Sequence, residues 1–359
     1  MEMLKNLQEA YSLSERYEIP AEDIVLVALN CSGVNSDIDL KRIRFHLKLD
    51  SCSEEFYIAL PVVQDKSNFI LSKADSKLLF NGIPIGSVRE IENDTCDSTY
   101  FRRNKTSLTL NSNSRSACRG CKFCGTYVQD ADDLNNLTNK ERLNAKIDQV
   151  MEENNMRDLN SMVEVAICTG CFPNEEATLN HLLMVRESLY ERGFSGELKY
   201  IGSQITSEDS LDFIKEAFPF AYYFTVECFT RRKKLMKPLK SKVTLAQSRQ
   251  ILNSAKRRGF QTSILYIMGL DPSHIIGKEL HEYLPHLTRF PVINLFQAYK
   301  PEDNALRYID AFGMEYYLKL RKRIEGIYES SNFRPRPWEN YRPLWYLKFG
   351  KEDLHGIRI

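Results

Sequence analysis

From Ser107 onward the chain alternates short apolar runs with amphipathic stretches, and this alternation limits its fold more than any other feature. Ser107–Leu110, Val163–Cys168, Leu198–Gly202, Tyr222–Cys228, Thr262–Gly269 and Val292–Ala298 read as strands. Between them Asn139–Glu153, Glu176–Arg192, Ser207–Ala217, Leu245–Arg258 and Gly277–Thr288 read as helices. Strands that are apolar almost without interruption are buried on both faces, and intervening helices supply the crossovers of a parallel sheet. A closed eight-unit barrel takes about 250 residues. Six units within residues 107–298 therefore predict an α/β fold built on an open, partial (β/α)6 barrel of the TIM type. A last amphipathic helix is expected between Leu306 and Ile327.

Residues 1–105 are patterned differently. After a short helix at Met3–Arg16, Lys41–Leu49 and Glu55–Val63 alternate with period two, the signature of half-buried strands. Asn81-Gly82 between apolar residues predicts a tight hairpin. Three domains follow: an N-terminal β-rich accessory module over 1–105, the partial barrel over 106–303, and a C-terminal helix with an aromatic, basic tail over 304–359. The tail segment Arg334–Tyr346 holds both tryptophans, and Trp338, Tyr341 and Arg342 are candidates to close the barrel mouth over a substrate.

Charge narrows the partners. Forty-nine Lys and Arg against 48 Asp and Glu leave +1, so no global field attracts nucleic acid or an anionic membrane. No apolar run reaches the roughly 18 residues of a membrane span, and the first residues are too charged to begin a signal peptide. The expectation is a cytoplasmic protein without membrane or nucleic-acid partners. Nine cysteines in such a reducing compartment are poor disulfide formers.

Three of those cysteines fall within seven residues, as Cys118-Arg-Gly-Cys121-Lys-Phe-Cys124. They follow the first barrel strand, at the strand end where barrel active sites are built. Three thiolates so spaced can ligate three irons of a [4Fe–4S] cluster and leave the fourth iron open. Zinc is the competing occupant: Cys118 and Cys121 with Cys168 and Cys171 would make two pairs but strand Cys124.

The constellation resembles the radical S-adenosylmethionine (SAM) superfamily over roughly residues 107–300, with two residues instead of the common three between the first two cysteines. The resemblance implies a [4Fe–4S] cluster on Cys118, Cys121 and Cys124. It implies SAM chelated to the open iron, and one-electron cleavage to a 5′-deoxyadenosyl radical that abstracts hydrogen from a small polar or nucleoside-like substrate. It further implies Phe123 near the adenine, and the turn at Thr169-Gly170-Cys171 with Glu175 or Glu176 near the SAM ammonium. Glu227 would hold the ribose, Arg231 or Arg232 the methionyl carboxylate, and Gln297 and Tyr299 would flank the adenine. Each carboxylate and guanidinium also has a plain structural reading, as a helix-terminal or loop charge. Cys171, on the same face as the cluster, is the candidate hydrogen-atom donor to a product radical. Seven basic residues between Arg231 and Lys242 with no acidic one suit an acidic electron donor such as flavodoxin or ferredoxin. Two other functions stay open: cluster-dependent transfer of the 3-amino-3-carboxypropyl group of SAM, and a non-catalytic iron–sulfur or zinc regulatory protein.

Overall fold

The computed structural model describes residues 3–63, 67–95, 99–112, 118, 120–125, 137–168, 170–217 and 219–358. Cys96, Thr169 and parts of the cysteine segment lie outside the described residues.

Helix α1 (Leu7–Tyr17) starts where the Asn6 side chain accepts the Glu9 amide proton. Helix α2 (Ala21–Ser32) is absent from the sequence expectation, because it is buried from Asp23 through Cys31 and so carries no helical period. Five antiparallel strands follow: β1 (Arg42–Leu49), β2 (Glu55–Pro61), β3 (Phe69–Ser72), β4 (Lys77–Phe80) and β5 (Ile83–Asn93), ordered β2-β1-β5-β4-β3. At the β4–β5 turn Phe80 pairs with Ile83, and Asn81 and Gly82 take φ of 51° and 77°. Both central residues are left-handed, which is what an Asn-Gly hairpin supplies.

A second sheet of seven strands curls into a half-barrel, so the architecture is mixed α/β with one antiparallel and one largely parallel sheet. Strand β6 (Tyr100–Arg102) forms a hairpin with β7 (Ser107–Leu110). Strands β7, β8 (Glu164–Cys168), β9 (Glu197–Gly202), β10 (Phe220–Glu227), β11 (Gln261–Met268) and β12 (Val292–Leu295) then lie side by side in chain order, all parallel. The crossovers are α3 (Lys140–Glu153), α4 (Glu175–Tyr190), α5 (Glu208–Ala217), α8 (Leu245–Arg257) and α9 (Ser273–Tyr283); α6 (Arg232–Leu235) and α7 (Pro238–Ser241) are single turns after β10. Asn139, Asn174 and Thr244 cap α3, α4 and α8 through their side chains. Helix α9 begins earlier than the apolar spacing indicates, because Pro272 precedes its first turn. The terminal helix α10 (Met314–Tyr328) likewise waits until Gly313, after two 3-10 turns. Strand β6 falls inside residues 1–105 yet pairs with β7, so the change of sheet lies between Asn93 and Tyr100.

One buried cluster runs from Leu4 and Ile24 through both sheets to Trp345. Buried polar contacts fix the first region onto the rest: the Gln297 amide donates to Asn30 Oδ1 and Ala59 O, and Arg321 lies 2.6 Å from Asp23. Residues 338–342 bridge the two edge strands of the half-barrel. Asn340 donates to Ile293 O at 3.0 Å and Leu295 N donates to Arg342 O at 3.0 Å, both on β12. Arg102 of β6 donates to Trp338 O at 2.8 Å, while Tyr100 meets Tyr341 edge to face at 6.2 Å. Among the described residues no helix is long and apolar enough to cross a membrane.

Candidate functional site

The carboxyl ends of the parallel strands surround one cavity, and five cysteines line it: Cys118, Cys121 and Cys124 from the loop after β7, and Cys168 and Cys171 from the end of β8. The β7 loop is held by its backbone, since Lys122 N donates to Leu235 O and Cys124 N to Cys121 O. Gly120 takes φ of 114°, and a Cβ there would stand 2.9 Å from Lys237 Cβ, so glycine permits both the turn and the close approach. Gly125 lets the loop run against the Tyr299 ring, which a Cβ would meet at 2.6 Å.

These thiols are not equivalent. Cys118 is lowered to about 4 by a hydrogen bond from Cys171 and by Lys237, whose ammonium donates to Sγ at 2.9 Å. Cys171 is pushed up by the same hydrogen bond and by burial. Burial also raises Cys121. A thiol favoured as thiolate is the nucleophilic and metal-binding form. Sulfur donors of one loop, presented to one cavity, are the donor set that an iron–sulfur cluster takes. Among the described residues no three His, Cys, Asp or Glu side chains stand close enough together to hold a metal ion.

Around the thiols the strand ends present polar groups. The Gln204 side chain pairs with both the amide and the carbonyl of Phe172 at 2.8 Å, fixing the turn that carries Gly170 and Cys171. Ser203 and Thr225 line the cavity, and their buried hydroxyls have no hydrogen-bond partner among the described residues. Glu227 sits past a β-bulge at φ of 67° and accepts from Lys240 at 2.8 Å. A left-handed non-glycine residue costs about 1–2 kcal/mol and persists where its surroundings over-determine it.

A further wall comes from distant parts of the chain. Arg42 of β1, Tyr100 of β6, Tyr299, Tyr341 and Arg342 all face the cavity. Behind them Arg42 and Arg44 share Asp94, each with a guanidinium nitrogen at 3.0 Å from the carboxylate. Burial alone would raise the Tyr341 phenol, but Arg42 and Arg342 outweigh it and bring it to about 8.

Of the residues singled out in sequence, the three cluster cysteines, Phe123, Gly170, Cys171, Glu227 and Tyr299 meet at this cavity. Others do not. Glu175 clamps the start of α5, accepting from the amides and hydroxyls of Thr206 and Ser207, and Glu176 is exposed. Arg231 donates to the carbonyls of Leu270 and Leu306, and Arg232 to those of Val226, Cys228 and Val243. Gln297 faces α2 and β2 instead of the cavity, and Trp338 packs with Arg103 near the strand starts. In the basic run, Lys237 and Lys240 also turn inward, leaving Lys233, Lys234 and Lys242 exposed. Ser203, Gln204, Arg42 and Tyr100 line the cavity as well, without an expectation from sequence. The Gly202-Ser203-Gln204 ending of β9 was a usable signal, but nothing local marks Arg42 or Tyr100. No protein-family model and no curated protein matches this chain.

Proposed function

We propose that this chain is a radical SAM enzyme of the partial (β/α)6 TIM-barrel type, acting on a small polar substrate. The observation that carries the reading is the gathering of Cys118, Cys121 and Cys124 at one cavity, where the carboxyl ends of six sequential parallel strands converge. A [4Fe–4S] cluster on these thiolates, with SAM bound, would supply the electron that breaks a carbon–sulfur bond and yields a 5′-deoxyadenosyl radical. The residues around it have definable tasks. Lys237 holds Cys118 as a thiolate, and Phe123 packs beside Cys121 and Cys124 to shield the loop from water. Ser203, Thr225 and Glu227 offer hydroxyl and carboxylate groups to the polar parts of SAM. Cys171, held as a thiol against Cys118, is the chain's hydrogen-atom donor. Residues 338–342 cover the open side of the half-barrel and exclude solvent.

The same contact between Cys118 and Cys171 favours a second reading, a four-thiolate zinc site without catalysis. Anaerobic reconstitution decides between them. The radical reading expects about four irons and four sulfides per chain, lost in the triple Cys118→Ala, Cys121→Ala, Cys124→Ala variant, and 5′-deoxyadenosine on reduction with SAM. Methylthioadenosine as the main product would establish aminocarboxypropyl transfer instead, and stoichiometric zinc without sulfide would establish the regulatory protein.

A further inference from the structure

We propose that the wall built by β1 and residues 341–342 is an anion subsite, in which Arg42 and Arg342 grip the carboxylate or phosphate of the substrate. It deepens the radical reading, and rests on it for the identity of the bound molecule as substrate.

Around the single ring of Tyr341 stand the guanidiniums of Arg42 at 5.3 Å, Arg44 at 5.0 Å and Arg102 at 5.0 Å, and Arg342 is the next residue in the chain. Among the described residues Asp94 is the one carboxylate that pairs with any of these four, and it is shared by Arg42 and Arg44. Arg102 is spent on the Trp338 carbonyl. The nearest acid of the tail, Glu339, is taken by Lys199 at 2.8 Å, and Glu227 is taken by Lys240. Among the described residues, four cations therefore meet one anion in a region largely withdrawn from water.

Such an excess is costly unless something answers it. Tyrosine faces do so in part through cation–π contact, with Arg44 at 3.5 Å from the Tyr100 ring centre. The two guanidiniums that reach the cavity, Arg42 and Arg342, are the ones a ligand can complete. The planar fork of arginine matches a carboxylate or phosphate with paired hydrogen bonds, a fit lysine lacks. The same guanidiniums, Arg42 and Arg342 foremost, lower the Tyr341 phenol against its burial. Tyr299 links this wall to the cysteine loop, since its ring lies against Gly125. An anion held here places the rest of a small molecule beside the thiols.

The test follows the tyrosine ring itself. Full-length protein labelled with 13C at tyrosine Cζ, as isolated and after anaerobic reconstitution, is titrated with succinate and, separately, with inorganic phosphate; Tyr341→Phe assigns the resonance. A saturable shift of the Tyr341 signal is expected with at least one anion, and the stronger of the two names the substrate's charged group. Arg342→Gln should weaken that saturation by about tenfold to a hundredfold, the value of one charged hydrogen bond. Arg342 is half-buried and has no carboxylate partner among the described residues, so this variant should fold; Arg42→Gln provides a second reading if its circular dichroism matches the wild type. No saturable shift with either anion, or unchanged titration in Arg342→Gln, overturns the subsite. Displacement of the anion by SAM also overturns it, since the wall would then belong to the SAM carboxylate. Iron, sulfide and nucleoside analysis judges the radical reading separately, so the two can fail apart.

Discussion

The two ends of the half-barrel use the same strands to opposite effect. At the strand starts Lys199 lies 2.7 Å from Glu164 and 2.8 Å from Glu339, with Tyr223 donating to Glu339 and Ser107 to Glu164. Arg289 grips Glu197 with both guanidinium nitrogens beside them. Each of these buried charges has an opposite charge within reach. At the strand ends, among the described residues, the Ser203 and Thr225 hydroxyls lack partners and the guanidiniums around Tyr341 outnumber the carboxylates that pair with them. Buried charges that satisfy one another hold a fold together, whereas buried groups left incomplete are arranged for something that comes and goes.

The strongest way to sharpen this contrast is Lys199→Met. It removes the cation between Glu164 and Glu339 and leaves two buried carboxylates, so it should cost about 3–5 kcal/mol in urea unfolding. A loss below about 1 kcal/mol would break the contrast, because the starts would then be no more committed than the ends.

A second test probes the packing of α4 against the residues that follow β7 and β8. His181 on α4 bonds Ser112 at 2.7 Å and stacks near Phe172, and burial holds its imidazole down to about 4 from an ordinary 6.5. Between those values the unfolded chain binds a proton that the folded one refuses. Its contribution is therefore whole above pH 6.5 and drains away as the pH falls toward 4, by about 3 kcal/mol in total. Unfolding free energies at pH 7 and pH 5 should show the slope, and His181→Gln should flatten it. A flat wild-type profile would mean that water reaches His181 in the folded protein.

The smallest effect belongs to the open end. Cys118→Ala in metal-free protein should change stability by less than about 1 kcal/mol, since a half-buried thiol with a half-buried lysine partner adds little. A large loss would show that Cys118 is a structural member of the loop.

Much of this was legible in the chain. Parallel strands buried on both faces announce themselves as unbroken apolar runs, and Asn139, Asn174 and Thr244 mark helix starts by chemistry that needs no neighbours. The cysteine loop was equally plain, because its three thiols are close in sequence. Local rules failed where the partner lay far away. Arg231 and Arg232 read as anion binders, yet nearby carbonyls absorb them. Arg42 reads as one more strand residue, and only its contact with the Tyr341 ring sets it at the cavity. Helix α2 failed for another reason, since burial on nearly every side erases the period by which helices are recognised.

The strap formed by residues 338–342 also imposes an order in time. Before it docks, β6 and β12 are bare strand edges with unpaired amides and carbonyls, the surface on which one chain adds to another. Closing that gap joins Arg42 to Tyr341, 299 positions away, a slow kind of contact because so much chain must first be brought together. The interval between forming the sheet and covering it is thus when the chain is most exposed to aggregation.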